Sequence, residues 1–197
     1  CSLVGSEMCI RDSTNTIAKH MKHLKRHVNI AINKEYIEIQ KYAFRKYKIK
    51  TIENKHTHLV PEELERLENL ILSGRYVKLQ KSLDAFLFCC YAGMRYSDFI
   101  NLSSENFVDI NQETWLIYKS VKTGTEVRLP LYLLFSGKGI AILNKYRDNL
   151  EDFFHLRDNS NVNKDLIIIT RLAGLSKRIS FHVSRHTCLL YTSDAAD

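Results

Sequence analysis

Along "NTIAKHMKHLKRHVNIAIN" the apolar residues Ile17, Met21, Leu24, Val28 and Ile32 recur every three or four positions. That spacing gathers side chains on one face of a helix, and an Asn or Thr stands ahead of it as a cap. Lys19, Lys22, Arg26 and the histidines fill the other side. The next stretch, "KYAFRKYKIKTIENKHTH", interleaves Tyr42, Phe44 and Tyr47 with basic residues and then loses its period, which predicts a linker. "LVPEELERLENLIL" has Pro61 in a first turn rich in glutamate, both helix-start signals. "KSLDAFLFCCYAGMRYSDFINL" predicts an apolar helix ending near Gly93, a turn that holds Arg95, and a second short helix. Two β-type runs flank "KTGT" in "TWLIYKSVKTGTEVRLPLY", a hairpin with Lys122 and Gly124 at its tip. "GKGIAILNKYRDNL" and "NVNKDLIIITRLAGL" read as helices, the second stopped by Gly174, and "SKRISFHVSRHT" follows.

Two prolines and seven glycines in 197 residues give little punctuation, which suits a mainly helical chain. A hydrophobic share of 45% suits a folded one. No run of eighteen apolar residues predicts a membrane span, and "CSLVGSEMCIRDS" lacks the apolar core of a secretion signal. The five cysteines include the neighbours Cys89 and Cys90 inside an apolar run, the mark of buried thiols in a reducing compartment. No zinc-type spacing occurs, so no metal is assigned.

Both ends read as foreign to the rest. Codons that spell Cys188 to Asp197, "CLLYTSDAAD", can match DNA resembling a transposase-type sequencing adapter. The first half of that DNA, inverted and read in another frame, spells Glu7 to Ser13, "EMCIRDS". Residues 1–13 and 188–197 are therefore expected to be adapter translation, and Tyr191 is rejected as a functional residue. The formal charge is +7 overall. Setting aside Arg11, Glu7, Asp12, Asp194 and Asp197 leaves 28 basic and 18 acidic residues, a formal +10 over 14–187. Such a balance suits a polyanionic partner.

Taken in order, "AGMRYSDFINL", "VKTGTEVRLPL" and "RLAGLSKRISFHVSRHT" resemble the catalytic domain of tyrosine recombinases, the phage integrase family, in particular integrases of Bacteroides-type mobile elements. The resemblance implies a mainly α (α+β) fold: a helical catalytic domain at 58–187 with a small antiparallel β-hairpin sheet. Residues 14–57 would then be the C-terminal part of a helical core-binding domain plus linker. It further implies that Arg95 and Arg185 are the two catalytic arginines, Lys122 the hairpin lysine and His182 the histidine of the HxxR motif, with His186 and Asp98 in support. Lys19, Lys22, Arg26, Lys177 and Arg178 are expected to touch DNA.

The residue types suit the implied chemistry. Attack on a phosphodiester builds charge on non-bridging oxygens, which two planar, permanently charged guanidiniums can brace. A lysine on a hairpin can supply a proton to the leaving 5′ oxygen, and a histidine can donate or shuttle one near neutral pH. The resemblance implies no cofactor, double-stranded DNA as partner, a recombinase tetramer on DNA in the full-length parent, and a DNA-associated place in a bacterial cytoplasm. It also places the tyrosine nucleophile downstream of Arg185, outside this chain, so the fragment alone is expected to be inactive. The rivals are a non-catalytic DNA-binding or architectural protein, a type IB topoisomerase relative, and a purely structural helical protein.

Overall fold

The structure, a computed structural model, describes residues 14–52 and 57–194, with the side chains of the final helix described through Cys188. The chain divides into two compact units, one up to Lys55 and one from His56. The expectation for residues 1–13 lies outside the described residues, as does the side chain of Tyr191.

In the first unit, helix α1 runs Thr14–Asn33. Its inward line is not the full stripe read from the sequence. Ala18 is buried and Met21, Val28 and Ile32 are half-buried, whereas Ile17 and Leu24 are 42% and 51% exposed. Ala18 tolerates close approach where a larger residue would not, so the helix turns that line inward. The Asn15 amide clamps the Ile52 backbone at both ends: Nδ2 donates to the Ile52 carbonyl and Oδ1 accepts its N–H, each at 2.9 Å. The helix ends in a Schellman pattern, with Tyr36 N–H donating to Ala31 O and Glu35 N–H to Ile32 O. Glu35 holds the left-handed position (φ 60°) that glycine usually takes. The stretch read as a linker carries two short 3₁₀ turns, Ile39–Lys41 and Ala43–Arg45. Phe44 is buried between the rings of Tyr42 and Tyr47, with centroids 6.0 and 6.1 Å away.

The second unit is built round one helix. Helix α2, Pro61–Glu68, opens on its proline as expected, and Glu63 Oε2 reaches back to the Val60 N–H at 3.0 Å. Helix α3, Gln80–Ala92, is buried at every residue from Ser82 to Ala92. An all-round apolar helix of this kind belongs at the centre of a domain. Its two polar residues are matched: Ser82 Oγ donates to Asp165 Oδ2 at 2.7 Å, and Asp84 accepts from Gln80, Lys145 and Tyr146 at 3.1, 3.3 and 2.8 Å. A buried carboxylate with three donors avoids the penalty of an unpaired one. Burial and the Asp84 bond together push the Tyr146 hydroxyl well above its ordinary pKa.

Short helix α4, Tyr96–Phe99, follows α3, and then three antiparallel strands in the order β1 (Phe107–Ile110), β2 (Glu113–Lys119) and β3 (Glu126–Pro130). The hairpin read from the sequence is β2–β3; Leu116 faces Phe107 on one side and Leu129 on the other. β1 went unread. It is four residues long, and its turn to β2 uses Asn111 and Gln112 at φ 55° and 69°, where the usual hairpin signal has glycine.

Helices α5 (Lys138–Lys145) and α6 (Leu150–Phe154) split the segment expected to form one helix. Asn149 leaves helical geometry (φ −152°, ψ 57°), and its side chain caps α6 by accepting from Asp152 N–H. Helix α7, Asn159–Leu172, is capped by Asp158, and its end at Gly174 is a second Schellman pattern. Helix α8 covers Val183–Asp194. Phe86, Phe88, Phe99, Phe153, Phe154 and Phe181 form the aromatic centre of the core; Phe99 alone stands 5.4 Å from both Phe153 and Phe154. Edge-to-face rings of this kind add to simple burial.

Cys89 and Cys90 are free and buried, and burial pushes both thiols well up from their ordinary pKa. Cys188 is buried as well, with its thiol 3.7 Å from the Tyr91 carbonyl. The first residue of the 188–197 segment, expected to be adapter translation, therefore packs against the core. The helix continues in register, so Val183, Ser184, Thr187 and Cys188 share the core-facing side. Among the described residues, no helix is long and apolar enough to cross a membrane.

Candidate active site

The centre of the second unit ends at its most distinctive turn. Gly93 closes α3 in the left-handed region (φ 63°), which lets the chain reverse and sets Arg95 at the N-cap of α4. Arg95 Nη1 stands 3.9 Å from Asp98 Oδ2, with the carboxylate only 1% exposed. The other oxygen of Asp98 accepts the Val121 N–H at 2.9 Å. One buried acid thus ties the first arginine to the loop that carries Lys122.

Arg185 arrives from the first turn of α8, and its Nη1 donates to the Gly93 carbonyl at 3.0 Å. Ser184 and Thr187 hold that turn: Ser184 Oγ donates to Phe181 O at 2.7 Å, and Thr187 Oγ1 donates to Val183 O and accepts the Leu59 N–H. Both arginines line one cleft of about 470 Å³, together with Tyr118, Ser120, Thr123 and Thr125 from the hairpin. Two guanidiniums facing one space, with hydroxyls around them, suit an oxyanion such as a phosphate.

Burial and the charge of Asp98 push the Tyr118 hydroxyl up to about 12, although Arg185 and Arg95 pull the other way. It is therefore a protonated donor at neutral pH and a poor nucleophile. Cys188 also borders the cleft, its thiol raised by burial against the opposing pull of Arg185.

The other expected residues are placed differently. Lys122 is exposed at the hairpin tip, where the Ser120 N–H donates to Thr125 O at 2.8 Å and the Gly124 N–H to Ser120 O at 2.7 Å. His182 is exposed and half-buried His186 lies edge-on to it, ring centroids 4.8 Å apart. Neither Lys122 nor His182 lines the arginine cleft. Of the four residues, the structure brings Arg95 and Arg185 to one cleft and sets Lys122 and His182 on an exposed tip and an exposed turn.

Lys19, Lys22, Arg26 and Arg178 are exposed. Lys19, Lys22 and His23 line a groove of about 440 Å³ along α1. Lys177 is engaged instead, 2.8 Å from Glu63 Oε2 and 3.3 Å from His58 O. Partial burial tends to raise the Glu63 carboxyl, but Lys177, the Val60 N–H and Arg66 outweigh it and hold it below its ordinary value. Sequence reasoning missed Tyr118, Ser120, Thr123 and Thr125 as cleft residues. The available signal was the alternation Leu116, Tyr118, Ser120, which puts all three on one face of β2 and its extension. Among the described residues, no group of three or more His, Cys, Asp or Glu is placed to hold a metal ion.

Comparison with curated proteins gives no match. Solved structures share the fold. Lambda integrase (residues 75–356) bound to DNA aligns with a TM-score of 0.66 at 17% identity, covering 96% of this chain and 69% of that one. A lambda integrase(75–356) dimer bound to a COC′ core site aligns at 0.62 and 16%, covering 90% and 68%. XerH site-specific recombinase in a post-cleavage complex aligns at 0.62 and 19%, covering 93% of this chain and 58% of that one. At such identities the likeness establishes architecture alone, the mainly helical fold with its small antiparallel sheet. The profile of the Phage integrase SAM-like domain matches residues 11–49, and that of the Phage integrase family matches residues 57–191. With well over half of its length matched and the fold in agreement, the chain belongs to the phage integrase family, the tyrosine recombinases.

Proposed function

We propose that this chain is part of a site-specific DNA recombinase that breaks and rejoins double-stranded DNA through a 3′-phosphotyrosine intermediate. The observation that carries the reading is the meeting of Arg95 and Arg185 in one cleft, Arg95 beside the buried Asp98 carboxylate and Arg185 bonded to the Gly93 carbonyl. The guanidiniums hold the non-bridging oxygens of the scissile phosphate and stabilise the charge that develops there. Lys122, on the exposed hairpin tip, swings over the bound strand and protonates the leaving 5′ oxygen, with His182 and His186 assisting proton transfer. Asp98 keeps arginine and hairpin in step. The nucleophile is assigned to no residue of this chain, neither Tyr191 nor the protonated Tyr118.

Residues 14–57 act as part of the core-binding module, with Lys19, Lys22 and Arg26 on DNA phosphates and Arg178 contributing from the second unit. Lambda integrase is described as a tetramer bound to a Holliday junction. The same tetrameric arrangement on DNA is proposed for the full-length parent of this chain, in a DNA-associated, bacterial setting.

The test is a covalent-adduct assay with a nicked duplex that carries the core site of the encoding element. The chain extended by its genuine downstream codons forms a protein–DNA adduct, and Arg95→Ala or Arg185→Ala cuts the rate at least about 10²-fold, the scale for one lost preorganised donor. The 197-residue chain forms none, and Tyr191→Phe changes nothing. An adduct on Tyr191 would overturn the assignment of the nucleophile. No adduct in the extended chain would favour a DNA-binding protein without catalysis, a reading to which the exposed positions of Lys122 and His182 already lend weight.

A further inference from the structure

β2 ends on a face that the arginine chemistry does not yet use. Tyr118 and Ser120 are two residues apart, so both side chains leave the sheet on the same side, following buried Leu116. Both line the cleft that holds Arg95 and Arg185. Ser120 is 4% exposed, and its Oγ has no hydrogen-bond partner among the described residues. Its backbone, by contrast, is fully used, the N–H on Thr125 O and the carbonyl on Gly124 N–H. Tyr118 is also buried, 8% exposed, and lines the same space.

A buried hydroxyl left unpaired is costly, and native proteins keep few of them. Ser120 can turn its O–H about the Cβ–Oγ bond and donate to whatever acceptor enters. The charge around it selects the acceptor. Two guanidiniums line the cleft, and Asp98 beside it is turned to Arg95 and to the Val121 N–H. An anionic oxygen is therefore the occupant that satisfies all four groups together.

We propose that the Tyr118 and Ser120 hydroxyls are phosphate-binding donors, which seat a phosphate oxygen between Arg95 and Arg185 from the hairpin side. The assignment rests on the arginine cleft being a phosphate site. It extends that site from two charged donors to four donors, two of them neutral. Neutral donors add orientation without further charge, so they discriminate the geometry of the bound phosphate more than its total charge.

The test uses the full chain with inorganic phosphate as probe, titrated against chloride at constant ionic strength and read by thermal unfolding. Phosphate stabilises the wild type in a saturable way, and Arg95→Gln abolishes the effect. Tyr118→Phe and Ser120→Ala each raise the apparent Kd about tenfold to hundredfold, the scale of one lost hydrogen bond to a charged group. Neither variant lowers the melting temperature without phosphate, because no protein hydrogen bond is removed.

The failures separate. If both variants bind phosphate as the wild type does while Arg95→Gln does not, the hydroxyl assignment is wrong and the arginine cleft stands. If phosphate has no effect on the wild type, the cleft reading fails and takes the hydroxyls with it. If Ser120→Ala unfolds earlier without phosphate and keeps its Kd, Ser120 serves the fold through Asp98 Oδ2, itself unpaired by hydrogen bonds, and the proposal is overturned at that residue.

Discussion

Replacing Gly93 by alanine strikes the joint between the central helix and the arginine cleft. The residue sits at φ 63°, a left-handed conformation that costs an L-residue about 1–2 kcal/mol. A Cβ at that position would also stand 3.0 Å from Cys188 Sγ and 3.6 Å from its Cβ. Cys188 is itself buried, 7% exposed, so the sulfur has little room to retreat. Overpacking of this kind adds roughly 1–3 kcal/mol. Together, a loss of about 2–5 kcal/mol is expected, which at about 2–4 °C per kcal/mol is a fall in melting temperature of roughly 4–20 °C. A double-mutant cycle divides the two parts. Cys188→Ala removes the atom in the way, so Gly93→Ala made in that background should cost only the conformational part. The coupling measured by urea denaturation should then be about 1 kcal/mol or more. A coupling near zero would show that Cys188 does not press on Gly93. A single-mutant cost below about 0.5 kcal/mol would refute the left-handed turn itself.

Three further outcomes follow from particular groups. Tyr118 is raised from an ordinary 10.0 to about 12 in the folded chain, so its contribution is fully present below pH 10 and fades as the pH climbs toward 12. Tyr118→Phe should flatten stability across that window, and one tyrosine should titrate late by ultraviolet absorbance in the wild type. Glu63 is held below its ordinary 4.5, so the stability it lends is present above that pH and lost as the pH falls through the lower folded value. Acid unfolding of Glu63→Gln should be less steep there than that of the wild type. On duplex DNA, each of Lys19→Ala, Lys22→Ala and Arg26→Ala should reduce the slope of log affinity against log salt by about 0.9; a slope indifferent to all three would remove α1 from the DNA contact.

What the chain discloses in one dimension depends on how local the cause is. Pro61 with Glu62 and Glu63, and Gly174 after α7, act within one turn, so they are legible before any packing is known. The β2–β3 hairpin is legible for the same reason, through Gly124 (φ 68°). β1 is hidden because Gln112 adopts a glycine-like angle that only its neighbours enforce. The inward line of α1 is hidden because a stripe of period 3.6 leaves open which half of a wide apolar face meets a partner, and the small Ala18 decided it. The left-handed Phe135 and Ser136 (φ 49° and 54°) are equally silent in sequence; the Phe135 ring packs 5.1 Å from Tyr91. At the site, Arg95 and Arg185 were legible through the order of three motifs. Tyr118 and Ser120 were not, since a tyrosine and a serine in a strand look like sheet surface until the opposite wall is known. Lys122 and His182 show the converse: a motif names residue types in order and says nothing of where the side chains point.

The bond from Arg185 to the Gly93 carbonyl carries a consequence for how such chains can diverge. Gly93 caps a helix that is buried from Ser82 to Ala92, so the packing of that interior locates its carbonyl. Arg95 starts two residues later, and the gauge between the two guanidiniums is therefore cast in the hydrophobic interior. Lineages can exchange exposed lysines, linkers and the residues that read a DNA sequence without retuning that gauge. Drift in the packing of α3 against α8 would alter it everywhere at once, for every target sequence alike.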